Sequence, residues 1–572
     1  MRIASVSCLF LLWAANLPGS PDAQWCWTEG GRRLEIESSG TIQFTDDDRD
    51  VKSLSPGGYF RVEENYLLLF AGRRYEVTAD SSGRLSRRYF DHGHLAALDS
   101  QGQAWLMGVM PEVIRNSGLG AEPRLERILK QGGPAAALSE ISRIRYDDPK
   151  RLYLEALITK GNLDPDQLSS AMLQARKIGS DEDKAELLIT VTPYYLKDKL
   201  REAIFEVAGT IGSDEEHRRV LCEFVKRDPA GRETLRLAAK SAGRIGSDEE
   251  KTAVLVAIAG QYKGDHEIGR ALLSSARSIG SDEERHHALS AVLAASGTDR
   301  EIYLQALLAA AAIGSDEEKA ALLIEAAARY EDGQAIRRAF FAATGNIGSD
   351  EQRRQVLSAL LARPGLTAAT LAEIAVSAKA IGSDEEKAKI LAEMVSVNPQ
   401  SPVVRAAFFE ALNSIGSDDE RKQVLLLIAH HRPTPVETQI EVARSAKKIG
   451  SDDDKAAVLA EISASNLQDP KLCDAFLTAV DSVGSEDDRG GILSALLARR
   501  GLPKEAVIRV IESSGKISSD EVKAHILTQA VETGYAADPL IRAAIGKVLD
   551  SMQSDNEYRR LTSALLKSGT ER

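Results

Sequence analysis

The residues of this chain that could do chemistry are carboxylates, histidines and a few thiols, and their spacing is the first question. Clusters such as Asp248-Glu249-Glu250 and Asp384-Glu385-Glu386 recur along most of the sequence inside the heptapeptide "IGSDEEK" and its variants. Stacked acids of this kind suggest calcium, but calcium takes six to eight converging oxygens. Three successive acids diverge around a helix turn, and packed helices lie ~8–10 Å apart, so the acids read first as structural and no metal ligands are assigned. The histidines offer close pairs at His92/His94, His286/His287 and His430/His431, without a Cys or Glu at ligand spacing; zinc needs three or four converging groups. They read as surface residues. "SDN" at Ser554 imitates a lactamase element but is the last copy of the repeated motif, and there is no Gly-rich phosphate loop. No catalytic residue and no cofactor is expected.

Repetition itself points to architecture, because a catalytic motif is needed once. The apolar residue opening each copy falls at Ile178, Ile211, Ile245, Ile279, Ile313, Ile347, Ile381, Ile415, Ile449, Val483, Ile517 and Met552, a 34-residue period with two single-residue slips. Ile144 extends the series one degenerate unit earlier. A period of this size signals a solenoid. In the unit Ser247 to Gly280, Val254, Leu255, Ile258 and Tyr262 share one helical face, and Ile268, Leu272, Ala276 and Ile279 share a second. The expected fold is a right-handed α-solenoid of about 12–13 two-helix repeats over residues 146–572. The tetratricopeptide pattern is missing, which makes HEAT-like the better label.

The motif explains itself as a joint between helices. The serines Ser180, Ser213, Ser247, Ser281, Ser315, Ser349, Ser383, Ser417, Ser451, Ser485, Ser519 and Ser554 stand where N-caps belong. Glu250, three residues after Ser247, would complete a capping box. The acids of the first turn complement the helix dipole, and Gly246 would supply the left-handed residue that ends the preceding helix. A 68-residue superperiod overlies the first: Lys319, Lys387 and Lys455 alternate with Arg353, Arg421 and Arg489, and Phe340, Phe408 and Phe476 recur at that interval. Duplication of a two-unit block accounts for it; a surface alternating with the same period is the functional alternative.

The rest of the chain is different. Residues 1–23 read as an export signal: Arg2, an apolar stretch from Ile3 to Ala15, and a small residue at Ala23. An uncleaved anchor is the alternative. No later segment has the roughly 20 apolar residues of a membrane span. Residues 24–100 carry short β-rich runs, "RRLEIES", "TIQFT", "GYFRVEEN", "YLLLF", "RRYEVTA" and "LSRRYF", separated by turn residues, and predict a small antiparallel β-meander. Residues 101–145 predict a helical adaptor. Cys26, Cys222 and Cys473 remain after export; the last two read as small core residues, and Cys26 as free or paired with another chain.

"DDDRDVKSLSPGGYFRVEE" (Asp46 to Glu64), "LSRRYFDHG" and "AWLMGVMPEVIRNSG" resemble a β-segment of exported bacterial helical-repeat proteins. They also resemble the extracytoplasmic tail of some antibiotic-sensing zinc-metallopeptidase regulators, in which Ser-Asp helical repeats follow that segment. The membrane helices and the His-Glu-x-x-His of those regulators are missing here, so the resemblance implies at most a sensing or scaffolding part.

With 27% charged and 43% apolar residues the composition is that of a folded, soluble chain. A net charge of -13 argues against nucleic acid and anionic lipid as partners. The expected function is a non-enzymatic, periplasmic or extracellular scaffold that binds proteins or peptides. A self-associating envelope or filament component is the second reading, and a HEAT-repeat lyase a remote third.

Overall fold

The computed structural model describes residues 23–66, 72–195, 201–295, 299–397, 401–431, 433–463 and 467–570. The expected leader and the run "YLLLF" beyond Tyr66 lie outside them. The chain divides into two compact units, residues 1–284 with 295–297, and residues 285–294 with 298–572.

The first unit begins with strands that alternate apolar and charged residues, the period-2 pattern of a sheet with one buried face. Strands β1 (Ala23–Glu29), β2 (Arg32–Ser39), β3 (Ile42–Phe44), β4 (Val51–Leu54), β5 (Tyr59–Tyr66), β6 (Arg73–Ala79), β7 (Leu85–Asp91) and β8 (His94–Ala96) follow in order. Six of them form one antiparallel sheet, β1-β2-β5-β6-β7-β8, while β3 and β4 pair separately. β1, β4 and β8 were not among the runs read from the sequence; β1 and β8 lie on the sheet edges, where mixed polarity blurs the alternation. The inward residues Leu34, Ile36, Phe60, Val62 and Val77 pack on Trp105, Val109, Met110 and Val113 of helix α1 (Ser100–Ser117).

Helix α2 (Ala121–Ile141) carries the joint to the repeats. Its Arg124 is buried and donates to Asp48 (2.6 Å), Glu140 (2.8 Å) and the Tyr153 hydroxyl (3.1 Å). A guanidinium out of water requires such full pairing. Asp48 sits in the turn between β3 and β4 with φ 57°, so a left-handed turn residue of the β part is tied to the helical part.

Helix pairs follow. In the first unit, helix Asp248–Ala259 buries Val254, Leu255 and Ile258, and helix His266–Ala276 buries Ile268, Leu272 and Ala276. The second unit repeats the scheme from helix Arg300–Ala310's predecessor motif to helix Asp555–Thr570. Phe340, Phe408 and Phe476 are all core residues. The architecture is an α-solenoid preceded by a small β-meander. No helix among the described residues is long and apolar enough to cross a membrane.

Candidate interaction surface

Each motif serine accepts a hydrogen bond from the backbone N–H three residues on. Ser180, Ser213, Ser247, Ser281, Ser315, Ser349, Ser383, Ser417, Ser451, Ser485, Ser519 and Ser554 do so at 3.1–3.5 Å. These are long bonds for an oxygen acceptor.

The shorter bonds belong to the aspartate beside each serine, and they leave the unit. Asp214 accepts from the N–H groups of Gly246 and Ser247, and Asp248 from those of Gly280 and Ser281. In the second unit Asp316, Asp350, Asp384, Asp418 and Asp452 repeat the contact on Ser349, Ser383, Ser417, Ser451 and Ser485 at 2.7–3.0 Å. Glu486 serves Ser518 and Ser519, and Asp520 serves Gln553 and Ser554. Before the first regular repeat, Asn116 of α1 accepts from the Arg145 N–H at 3.1 Å. Bonds from backbone N–H groups to a carboxylate are charge-assisted. Those from Gly348, Gly450 and Gly484 hold the carboxyls of Asp316, Asp418 and Asp452 below the usual carboxylate range.

Two expectations are corrected by this ladder. Ser247 does not share a capping box with Glu250, because its N–H already donates to Asp214; Glu250 pairs instead with Arg218 of the preceding repeat. The acids do stand in the first turn of each helix, as expected, and the aspartates among them bond between repeats as well. The motif glycines, Gly246 among them, do not lie in the left-handed region. Space is what selects them: a Cβ at Gly212, Gly246, Gly280, Gly348, Gly382, Gly416, Gly450 or Gly484 would stand 2.8–3.2 Å from an aspartate oxygen of the preceding repeat. The sequence did hold a signal, since the second motif place keeps an acid while the fourth admits Gln352 and Val522.

The alternating basic residues have a job as well. Lys251, Lys319, Lys387 and Lys455 are buried to 4–5% exposure, and each donates to a carbonyl at the end of its own repeat's second helix. Arg353 and Arg421 do the same in the intervening units. The place after them pairs forward: Arg354 with Glu386, Lys422 with Asp454, and His286 with Glu318. His286 is therefore a half-buried inter-repeat residue and not a surface one. At these places the 68-residue superperiod is a base that pairs forward in alternate joints, His286, Arg354 and Lys422, with Ala320, Ala388 and Ala456 between them.

Sequence reading also passed over His217. It occupies the buried basic place of its repeat at 2% exposure, and its Nε2 lies 2.9 Å from Ser241 Oγ. Burial and the nearby Arg244 push it down to about 4. Ser241 is 6% exposed, so this serine–histidine pair is enclosed between helices. Burial raises the thiols of Cys222 and Cys473, the reverse of activation; Cys26 is exposed, and all three are free. Among the described residues no three His, Cys, Asp or Glu side chains converge as metal ligands.

The second helices also present an exposed face that takes no part in these joints. Five residues before each motif's apolar residue stand Leu173, Glu206, Lys240, Ser274, Leu308, Ala342, Val376, Glu410, Arg444, Thr478, Glu512 and Lys547, all exposed. Leu173, Leu308 and Val376 present 60%, 50% and 53% of their surface.

No family model matches the chain, and no curated protein matches it. Among solved structures it is similar to the APC/C hetero-tetramer Cut9–Hcn1, at 12% identity and TM-score 0.17, covering 81% of this chain and 92% of the other. A circular tandem repeat protein is similar at 16% identity and TM-score 0.12 (82% and 94% covered). The Chs5–Bch1 exomer cargo adaptor complex is similar at 13% identity and TM-score 0.14 (91% and 85% covered). Scores this low decide nothing, and the fold stands on the packing described above.

Proposed function

We propose that this chain is a non-enzymatic, exported scaffold that binds other proteins or peptides on the outer faces of its repeats. One contrast carries the reading: the joints repeat the same chemistry from unit to unit, whereas the exposed place on the second helices runs through apolar, acidic, basic and small residues. Constant joints with a variable, partly apolar surface suit recognition of an extended partner. The resemblance of the β part to exported helical-repeat proteins supports a location outside the cytoplasm, as does the apolar N-terminal stretch.

The test is to exchange Leu173, Leu308 and Val376 for glutamate in the full chain. Unchanged melting with loss of a stoichiometric partner supports the scaffold. Retention of the partner by the triple variant rejects the outer face as the binding surface. Concentration-dependent growth of the purified chain into polymers, abolished by the same exchange, would favour the envelope or filament reading.

A further inference from the structure

The chain carries a net charge of -13, yet its bases are not spread evenly over the second helices. Nine, five and one residues before each motif's apolar residue lie three places of one helical face, spaced four apart. Helix Arg232–Ala242 and the turn after it put Arg236, Lys240 and Arg244 there. No other second helix has a base at all three places. The one before it has Glu202, Glu206 and Thr210, and the one after it Arg270, Ser274 and Ser278.

An open groove of ≈ 560 Å³ lies between this helix and helix His266–Ala276, within the size range of ligand clefts. Arg236, Lys240, Arg244 and Arg270 line it, with Glu267 as the one acid on its walls. The buried Ser275 hydroxyl donates to the Ala239 carbonyl at 2.7 Å and holds the two walls together. The acids already at hand are engaged: Glu267 pairs with Arg232 at 3.3 Å, and Glu233 with Arg236 at 2.6 Å. Lys240 and Arg244 are exposed, and among the described residues neither side chain has a hydrogen bond or an ion pair. Like charges four apart on a helix repel, so this row opposes folding until an anion relieves it.

We propose that this groove receives a short, extended acidic segment of a partner protein, with acids at alternate residues. Places four apart on a helix lie ~6 Å apart along its axis, and alternate residues of an extended chain lie ~6.7 Å apart. An acid-x-acid-x-acid run therefore keeps register with Arg236, Lys240 and Arg244, and each pairing is charge-assisted. Glu202 and Glu206 on the preceding second helix bound the basic row, which suits a short segment and repels a long polyanion such as nucleic acid. The inference rests on the scaffold reading and names the chemistry of the segment bound.

The probe is a fluorescein-labelled peptide alternating aspartate and serine, titrated against the full-length chain by fluorescence polarisation. A peptide of the same composition, with its aspartates in one block, is the control. Saturable binding that weakens with added salt is expected, and the block peptide should bind less tightly. Lys240→Glu and Arg244→Glu should each weaken the alternating peptide about tenfold, since each replaces an attraction by a repulsion. Both places are exposed, so the melting temperature should hold or rise. Failure of the alternating peptide to bind, equal binding by either charge-reversed chain, or equal binding of the block peptide or of an oligonucleotide of matched charge would overturn the inference. None of those results touches the scaffold reading, whose own test alters Leu173, Leu308 and Val376 and leaves Lys240 and Arg244 in place.

Discussion

The Ser383 N–H donates to the Asp350 carboxylate at 2.7 Å across a repeat boundary, and the Gly382 N–H joins it at 2.9 Å. Ser383 in turn accepts from Glu386 at only 3.3 Å. Hydrogen bonds to charged groups contribute ~1.5–3 kcal/mol, and loss of an N-cap costs ~0.5–2 kcal/mol. Asp350→Ala should therefore destabilise more than Ser383→Ala, with Asp350→Asn in between because its amide oxygen still accepts. Exposed Glu385→Ala should change stability by less than ~0.5 kcal/mol. Urea unfolding of the four variants gives the order; a larger loss from the serine would refute the ladder's primacy.

Acid should loosen the joints together. The carboxyls of Asp316, Asp418 and Asp452, bonded to Gly348, Gly450 and Gly484, and that of Glu486, bonded to Ser518, lie below their ordinary values. A depressed folded value means that the unfolded chain binds protons first, so this stability is complete above the ordinary carboxylate range and is lost as pH falls through the lowered values. Melting temperature should drop steeply there, and Asp→Asn changes at these places should flatten the drop.

His217 adds a separate, earlier step. Its folded value of about 4 lies below the ordinary histidine value of 6.5. The unfolded chain takes up this proton first, so the folded state loses stability as pH falls from 6.5 toward 4. His217→Gln should remove that portion of the pH dependence while leaving the carboxylate step. An unchanged profile would mean that His217 is not neutral and enclosed.

The forward pairs can be exchanged. Arg354 and Glu386 should show a coupling of ~0.5 kcal/mol in a double-mutant cycle, the usual scale for a partly exposed pair. At the corresponding places of a later joint stand Gly490 and Val522, and a Cβ on Gly490 would lie 2.3 Å from Val522 Cγ1. Gly490→Ala should destabilise, and Val522→Ala should rescue it. Additive losses in denaturant melts would show that the two do not share that space.

Export is checked by the mature N-terminus. Expression in a bacterial host should give a chain beginning near Gln24 outside the cytoplasm, and terminal sequencing that returned Met1 from a cytoplasmic pool would refute it.

The period of the apolar residues by itself determined the helix pairs, since only one spacing buries Val254, Leu255 and Ile258 together. Alternation in "RRLEIES" and "GYFRVEEN" likewise announced strands, because one face of each must be buried. The direction of the motif's polar groups was decided by tertiary structure. Asp214 could have served its own helix or another, and only the stacking of the next repeat brings the Ser247 N–H within reach. The same holds for Gly246, whose lack of a side chain answers to a neighbour's carboxylate and not to its own backbone. Local sequence reports what a segment buries; a contact 32 residues away depends on how two segments pack.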